Sequence, residues 1–321
     1  IAADEIWSTN TELEGTDKLP EEKHKNQRRR IGTSLFTLGA FPIEYTFYGD
    51  QYRAEWQAEA VDLVGAAFLG LTVECARCHD HKFDPVSQRD YYRMAALFAG
   101  SVEREIPLGS LFDIQTSTRS FPLDEQARIL KRMAKSARNA PEQERDAMLR
   151  RLGEAYLRAG NPHPSAKVLG HEEVVPPTHV LSKGDFKQKG ERVDPGFPAA
   201  ILPGPPIEEP EDTLFVPRRR KALADWLTSP DQPLLARVMV NRIWQGHFGQ
   251  GIVRTPNDFG RQGDAPTHPK LLDWLAVDFA EGGWSIKRMH KRIMLSSAYR
   301  AASVASDESL EKDPENFFLS R

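Results

Sequence analysis

Only two cysteines occur in the 321 residues, Cys75 and Cys78, three positions apart and followed directly by His79. A pair so close together rules out a framework of long-range disulfides. The fold must therefore rest on apolar cores, and the chain is long enough for two or three domains with cores of their own. Apolar residues make up 40% and charged residues 28%, the balance of a globular protein rather than a disordered chain. The net charge of −3 is close to neutral and gives no general reason to expect nucleic acid or an anionic membrane as partner. No apolar run approaches the roughly 18 residues of a membrane-spanning helix. The longest runs from Val61 to Val73 and contains Asp62. The start at Ile1 and the stop at Arg321 read as those of a processed or truncated piece.

Helical periodicity dominates the rest. Arg53 to Leu71 places Ala60, Val64, Phe68 and Leu71 on one face; were the helix to continue, Cys75 and Cys78 would extend that stripe. Ser87 with Asp90 forms a capping box for a helix running through Tyr91, Met94, Ala95 and Phe98 to Gly100. Helices are also expected over Lys221 to Leu227 and over Leu234 to Phe248, the latter closed by Gly249. Two more follow, over Pro269 to Glu281 and, capped by Ser285, over Ile286 to Ser297. One strand is expected, Thr178 to Leu181. The reading is a mainly α protein with little β. It has a helical domain bearing the Cys-His motif over 1–120, a charged helical hairpin over 121–160, a Pro/Gly-rich extended connection over 161–217 and an incomplete C-terminal helical domain over 218–321.

The segment Cys75-Ala76-Arg77-Cys78-His79 fits the attachment pattern of one covalent haem c. Two thiols at this spacing can add to the two vinyl groups on one porphyrin edge, and the adjacent imidazole can then bind the iron. Such attachment takes place outside the cytoplasm, so the reading places the chain in the periplasm or at the cell surface. Three alternatives stay open. Cys75, Cys78, His79 and His81 could hold zinc, although zinc sites usually draw their second ligand pair from a distant segment. The cysteines could be a thioredoxin-like redox pair, but the flanking strand–helix pattern is missing. They could also be inert core residues on an apolar stripe. A sixth iron ligand could come from His247 or His290, each on an apolar helical face. His24, His171, His179, His268 and Met94 are no better supported.

Four stretches carry a family resemblance. Cys75 to Tyr91 reads CARCHDHKFDPVSQRDY, and Leu181 to Pro198 reads LSKGDFKQKGERVDPGFP. Val238 to Gly260 reads VMVNRIWQGHFGQGIVRTPNDFG, and Pro266 to Ala276 reads PTHPKLLDWLA. Together they resemble the large planctomycete and verrucomicrobial surface proteins that pair two domains of unknown function. These are the planctomycete surface cytochrome type domain and the planctomycete surface domain. The resemblance implies an exported protein from organisms that degrade sulfated polysaccharides, and it supplies no catalytic residue.

Other polar clusters have two readings each. His79, Asp80, His81 and Asp84 could form a second metal site, or Arg77 and Lys82 could meet haem propionates; the plainer reading is a solvated turn shaped by Asp84-Pro85. The basic run Arg218-Arg219-Arg220-Lys221 could meet an acidic or sulfated polysaccharide or a redox partner, but usually such a run is a solvated helix start. The run from Gln27 to Arg30 has the same standing. Asn257, Asp258, Arg261 and His268 could line a site or simply cap turns. No hydrolase or nucleotide-binding motif is present. The leading expectation is an extracytoplasmic c-type haem protein in electron transfer, one that could serve carbohydrate oxidation as a component of a haem-dependent oxidoreductase, with a redox protein as partner and no nucleic acid. The alternative is a structural or glycan-binding surface protein whose Cys-His cluster holds zinc or nothing.

Overall fold

The computed structural model of the chain describes residues 32–37, 49–107, 165–171, 175–207, 218–301, 306–314 and 316–317, with scattered positions between 132 and 148. The fold is mainly α, with two small two-stranded sheets among the described residues. The expected hairpin over 121–160 and the basic run Gln27 to Arg30 lie outside the described residues, apart from those scattered positions. No helix among the described residues is long and apolar enough to cross a membrane. The chain forms two compact units, each assembled from three stretches: 1–56, 97–177 and 206–224 in the first, and 57–96, 178–205 and 225–321 in the second.

In the first unit, β1 (Ser101–Pro107) pairs antiparallel with β2 (Ser165–His171), running from Ser101 opposite His171 to Pro107 opposite Ser165. Neither strand was expected, because both lie in stretches whose charged and small residues mask any alternation of apolar side chains. A short 3₁₀ helix, Gly32–Thr37, lies on β2, where the buried Thr33 hydroxyl accepts the Leu169 N–H at 2.9 Å. Phe36, Trp56 and Phe98 pack as an aromatic trio, with the Trp56 indole N–H donating to the Phe36 carbonyl. Arg220 corrects the view of the 218–221 run as solvated: its side chain is buried and donates to the Gly170 carbonyl at 3.3 Å.

In the second unit, α1 (Gly49–Val64, its first turns in the other unit) continues through a π-helical turn, Gly65–Leu69. Gly70 stops it in the left-handed region at φ 60°. A side chain there would also run into Phe259 and Val238, so only glycine fits. The stripe therefore does not continue to the cysteines: Cys75 sits in a separate 3₁₀ turn, Glu74–Arg77, and Cys78 caps its end. Helix α2 (Gln88–Ala96) begins at the expected box, the Ser87 hydroxyl accepting the Asp90 N–H at 3.0 Å. Strands β3 (Thr178–Leu181) and β4 (Lys189–Val193) form an antiparallel hairpin.

Helices α3 (Arg219–Leu227, crossing from the first unit), α4 (Leu235–Phe248), α5 (Pro269–Glu281) and α6 (Ile286–Met294) follow. Their core joins Val240, Ile243 and Trp244 of α4 to Leu272, Leu275, Ala276 and Phe279 of α5 and to Met289 and Ile293 of α6. Helix α6 ends three residues early, because Ser296 starts a new short helix, α7 (Ser297–Arg300), by accepting the Tyr299 N–H. A last helix, α8, spans Asp307–Lys312.

Candidate functional site

Cys75 and Cys78 stand at the two ends of one 3₁₀ turn, closed by Cys78 N–H to the Cys75 carbonyl at 3.2 Å. Side chains three apart in such a turn eclipse one another, so both thiols emerge on the same side. Both are exposed, which removes the reading of them as inert core residues. His79 follows directly and is exposed as well. Its Nδ1 lies 2.8 Å from the Asp80 carbonyl, and a carbonyl can only accept, so Nδ1 carries the proton. The lone pair is thereby left on Nε2, the tautomer that a metal-binding imidazole needs.

The turn is gripped from three sides within the second unit. From α2, the Tyr92 hydroxyl donates to the Arg77 carbonyl at 2.9 Å, and the Gln88 amide donates to the Arg77 and Leu181 carbonyls at 3.1 and 3.0 Å. Burial pushes the Tyr92 pKa up to about 12, so this donor keeps its proton at any physiological pH. From the β3–β4 hairpin, Lys183 and Gly184 take left-handed conformations at φ 51° and 74°. The Lys183 carbonyl then accepts the Cys78 S–H at 3.3 Å, and a side chain at Gly184 would crowd Cys78 Sγ and Arg77. The stretch LSKGDF, significant in sequence only through resemblance, is thus the wall behind the second thiol.

The third grip comes from the C-terminal part. Asp84 is buried, not the solvated turn residue expected. Its Oδ1 accepts the Arg261 N–H at 2.8 Å, while its own N–H donates to His81 Nδ1 at 2.8 Å. His81 Nδ1 lies 3.6 Å from Asp84 Oδ2 but already accepts that N–H, so the approach is not an ion pair. Two residues before Arg261, the Phe259 N–H donates to the Gly70 carbonyl at 2.6 Å. Arg242 completes the clamp: its guanidinium reaches the Ala66 and Ala67 carbonyls at 2.6 Å and the Asn257 side chain at 3.0 Å. The carbonyls at this helix end have no partner further along the helix, and a cation suits them. Asn257 and Asp258 therefore serve the loop: Asp258 Oδ1 accepts the Gly260 N–H at 2.9 Å. His268 contacts Thr267 Oγ1 at 3.0 Å.

Beside the turn, Tyr91 donates to Asp62 Oδ1 at 3.1 Å. Burial, reinforced by the Glu74 charge, pushes the Asp62 pKa up to about 6 against the opposing pull of the Tyr91 bond and Arg77. Lys82 covers the half-exposed ring of Phe83 at 5.1 Å.

His247 and His290 are brought to each other: Nε2 of the first lies 2.7 Å from Nδ1 of the second, with Tyr299 edge-on to His247. Each occupies one ring nitrogen of the other, so a role for either in binding iron would use the remaining nitrogen or break the pair. Among the described residues, no three His, Cys, Asp or Glu side chains converge in a grouping able to hold a metal ion, so zinc finds no ready-made set of donors around Cys75.

Residues 1–103 match the family model PSCyt2, a protein of unknown function (DUF1549), and residues 219–321 match PSD1, a protein of unknown function (DUF1553). Neither a curated protein nor a solved structure matches the chain.

Proposed function

We propose, from the premise that this chain belongs to the proteins pairing the PSCyt2 and PSD1 domains, that it is an extracytoplasmic c-type haem protein that exchanges electrons with a partner oxidoreductase. The observation that carries this reading is the presentation of Cys75, Cys78 and His79 together at the surface, with the His79 proton held on Nδ1 by the Asp80 carbonyl. Haem c, when bound, supplies a one-electron couple at its iron. The chain's own residues then have distinct tasks. Cys75 and Cys78 would hold the macrocycle through thioethers, and His79 Nε2 would be the proximal ligand. The Asp80 carbonyl orients the imidazole and raises its basicity through Nδ1–H. Tyr92, Gln88 and the Lys183 carbonyl keep the turn in the shape that sends both thiols the same way.

An extracytoplasmic location follows from the chemistry of attachment and accords with the surface-type domains. The test is expression in a host that matures c-type cytochromes, followed by mass analysis of the peptide containing Cys75 to His79. A haem adduct on that peptide is expected, lost in Cys75→Ser/Cys78→Ser and with altered iron ligation in His79→Ala. An unmodified peptide from a host that matures a control cytochrome would overturn the proposal.

A further inference from the structure

The largest exposed apolar side chains of the second unit are gathered on the outer faces of α5 and α6. Trp274 and Val277 are 51% and 56% exposed, and Met294 and Leu295 are 47% and 60% exposed. On α5 the core side is formed by Leu272, Leu275, Ala276 and Phe279, which at helical spacing leaves Trp274 and Val277 pointing the opposite way. On α6 only Met289 and Ile293 are buried, so Lys287, Lys291 and Met294 turn outward, with Leu295 just beyond the helix. Arg292 joins the two faces: its guanidinium lies 5.4 Å over the Trp274 ring while it hydrogen-bonds Asp278 at 2.6 Å.

Cations outnumber anions on this face: Lys270 and Glu281 share the outward side of α5 with Trp274 and Val277, and Lys287 and Lys291 add two further cations on α6. From Gly282 to Ser306 the sequence holds Lys287, Arg288, Lys291, Arg292 and Arg300 and no Asp or Glu. On α5, Asp278 is engaged by Arg288 and Arg292, and Asp273 by Arg237. Lys287 and Lys291 thus share the outward face of α6 with the exposed Met294.

We propose that this face seats on an anionic lipid bilayer. Trp274, Val277, Met294 and Leu295 would enter the boundary between headgroups and acyl chains, and Lys287 and Lys291 would meet the lipid phosphates. A polyanion such as a nucleic acid or an acidic glycan would account for the cations and could stack on Trp274, but it leaves the aliphatic Val277, Met294 and Leu295 uncovered. A bilayer covers both, and tryptophan favours its interface. With no membrane-spanning helix among the described residues, the attachment made by this face is peripheral. The proposal stands apart from the haem reading, since none of these residues touches the Cys-His turn.

The test uses the full chain and sedimentation with phosphatidylcholine vesicles, with and without an equal part of phosphatidylglycerol. Binding is expected only to the anionic vesicles, weakened by salt and accompanied by a blue shift of tryptophan emission that Trp274→Phe diminishes. Lys287→Gln and Lys291→Gln should each lower the vesicle affinity about fivefold. Met294→Ser/Leu295→Ser should lower it at least as much, with unchanged melting temperatures showing that all variants fold. Absence of binding to anionic vesicles would overturn the proposal. So would a loss confined to the lysine variants, with heparin bound equally well by Met294→Ser/Leu295→Ser and by the parent; that pattern belongs to a polyanion site.

Discussion

Asp62 is the residue at which burial and charge conflict most openly. Its carboxyl, with a pKa near 6 in the folded chain and an ordinary value of 3.8, keeps a proton on folding that the unfolded chain has released between those pH values. Stability on this account falls as pH rises from about 4 to 6 and stays lowered above that. Asp62→Asn keeps an oxygen for the Tyr91 hydroxyl and removes the charge, so it should stabilise the protein by ~1–2 kcal/mol at neutral pH. The gain should shrink towards zero near pH 4, and denaturant melts at both pH values measure it. A gain that is equally large in acid would show that charge is not the cause. Gly70 offers a steric counterpart: an alanine there must adopt a left-handed backbone and displace Phe259 and Val238. Gly70→Ala should cost about 2 kcal/mol or more, read as a lowered urea midpoint.

At the scale of elements, the Cys-His turn depends on neighbours that contribute no ligand. Arg242 donates to the Ala66, Ala67 and Pro256 carbonyls and to the Asn257 side chain, and Arg242→Met leaves those acceptors without it. The expected cost is about 2–4 kcal/mol. Lysine should restore little, because one ammonium cannot span the same fan of acceptors. If Lys and Arg prove equal in melting temperature, the fork geometry is irrelevant.

The helices themselves were legible in sequence, and for physical reasons. Apolar residues at spacings of three and four mark the inner faces of α4 and α5, and Ser87 with Asp90 and Ser285 mark helix starts. The strands β1, β2 and β4 were not legible: β1 and β2 pair across a long separation, and β4, in a local hairpin with β3, is exposed over Lys189 to Arg192 and shows no alternation of apolar side chains. Cys75, Cys78 and His79 could be singled out because their chemistry depends on spacing within five residues. The roles of Asp84, Arg242, Lys183 and Gly184 could not, because each acts through a backbone group distant in sequence. A buried aspartate bound to a loop N–H and an aspartate in a solvated turn look alike in sequence. The same holds for Arg220, whose burial depends on β2 being beside it.

At the scale of the whole molecule, bulk averages hide local organisation. A net charge of −3 coexists with a face on α5 and α6 where cations and apolar side chains meet. Similarly, the two family matches are separate in sequence, yet the second unit interleaves parts of both: the Cys-His turn lies in the PSCyt2 match, and Asp84 is held by Arg261 in the PSD1 match. Loosening the core of α5 should therefore be felt at the cysteines. Leu275→Ala, with an expected cost of about 2–5 kcal/mol, should raise the reactivity of the Cys75 and Cys78 thiols of haem-free protein in sub-denaturing urea. Unchanged reactivity would mean that the turn holds its shape without the C-terminal core.

The central claim, that this surface turn carries covalent haem, is tested most directly by a pyridine haemochrome spectrum of natively matured protein after acid–acetone extraction. The account predicts that a c-type band survives extraction at about one haem per chain. Complete loss of the band on extraction, or its absence in a host that matures other c-type cytochromes, would contradict it.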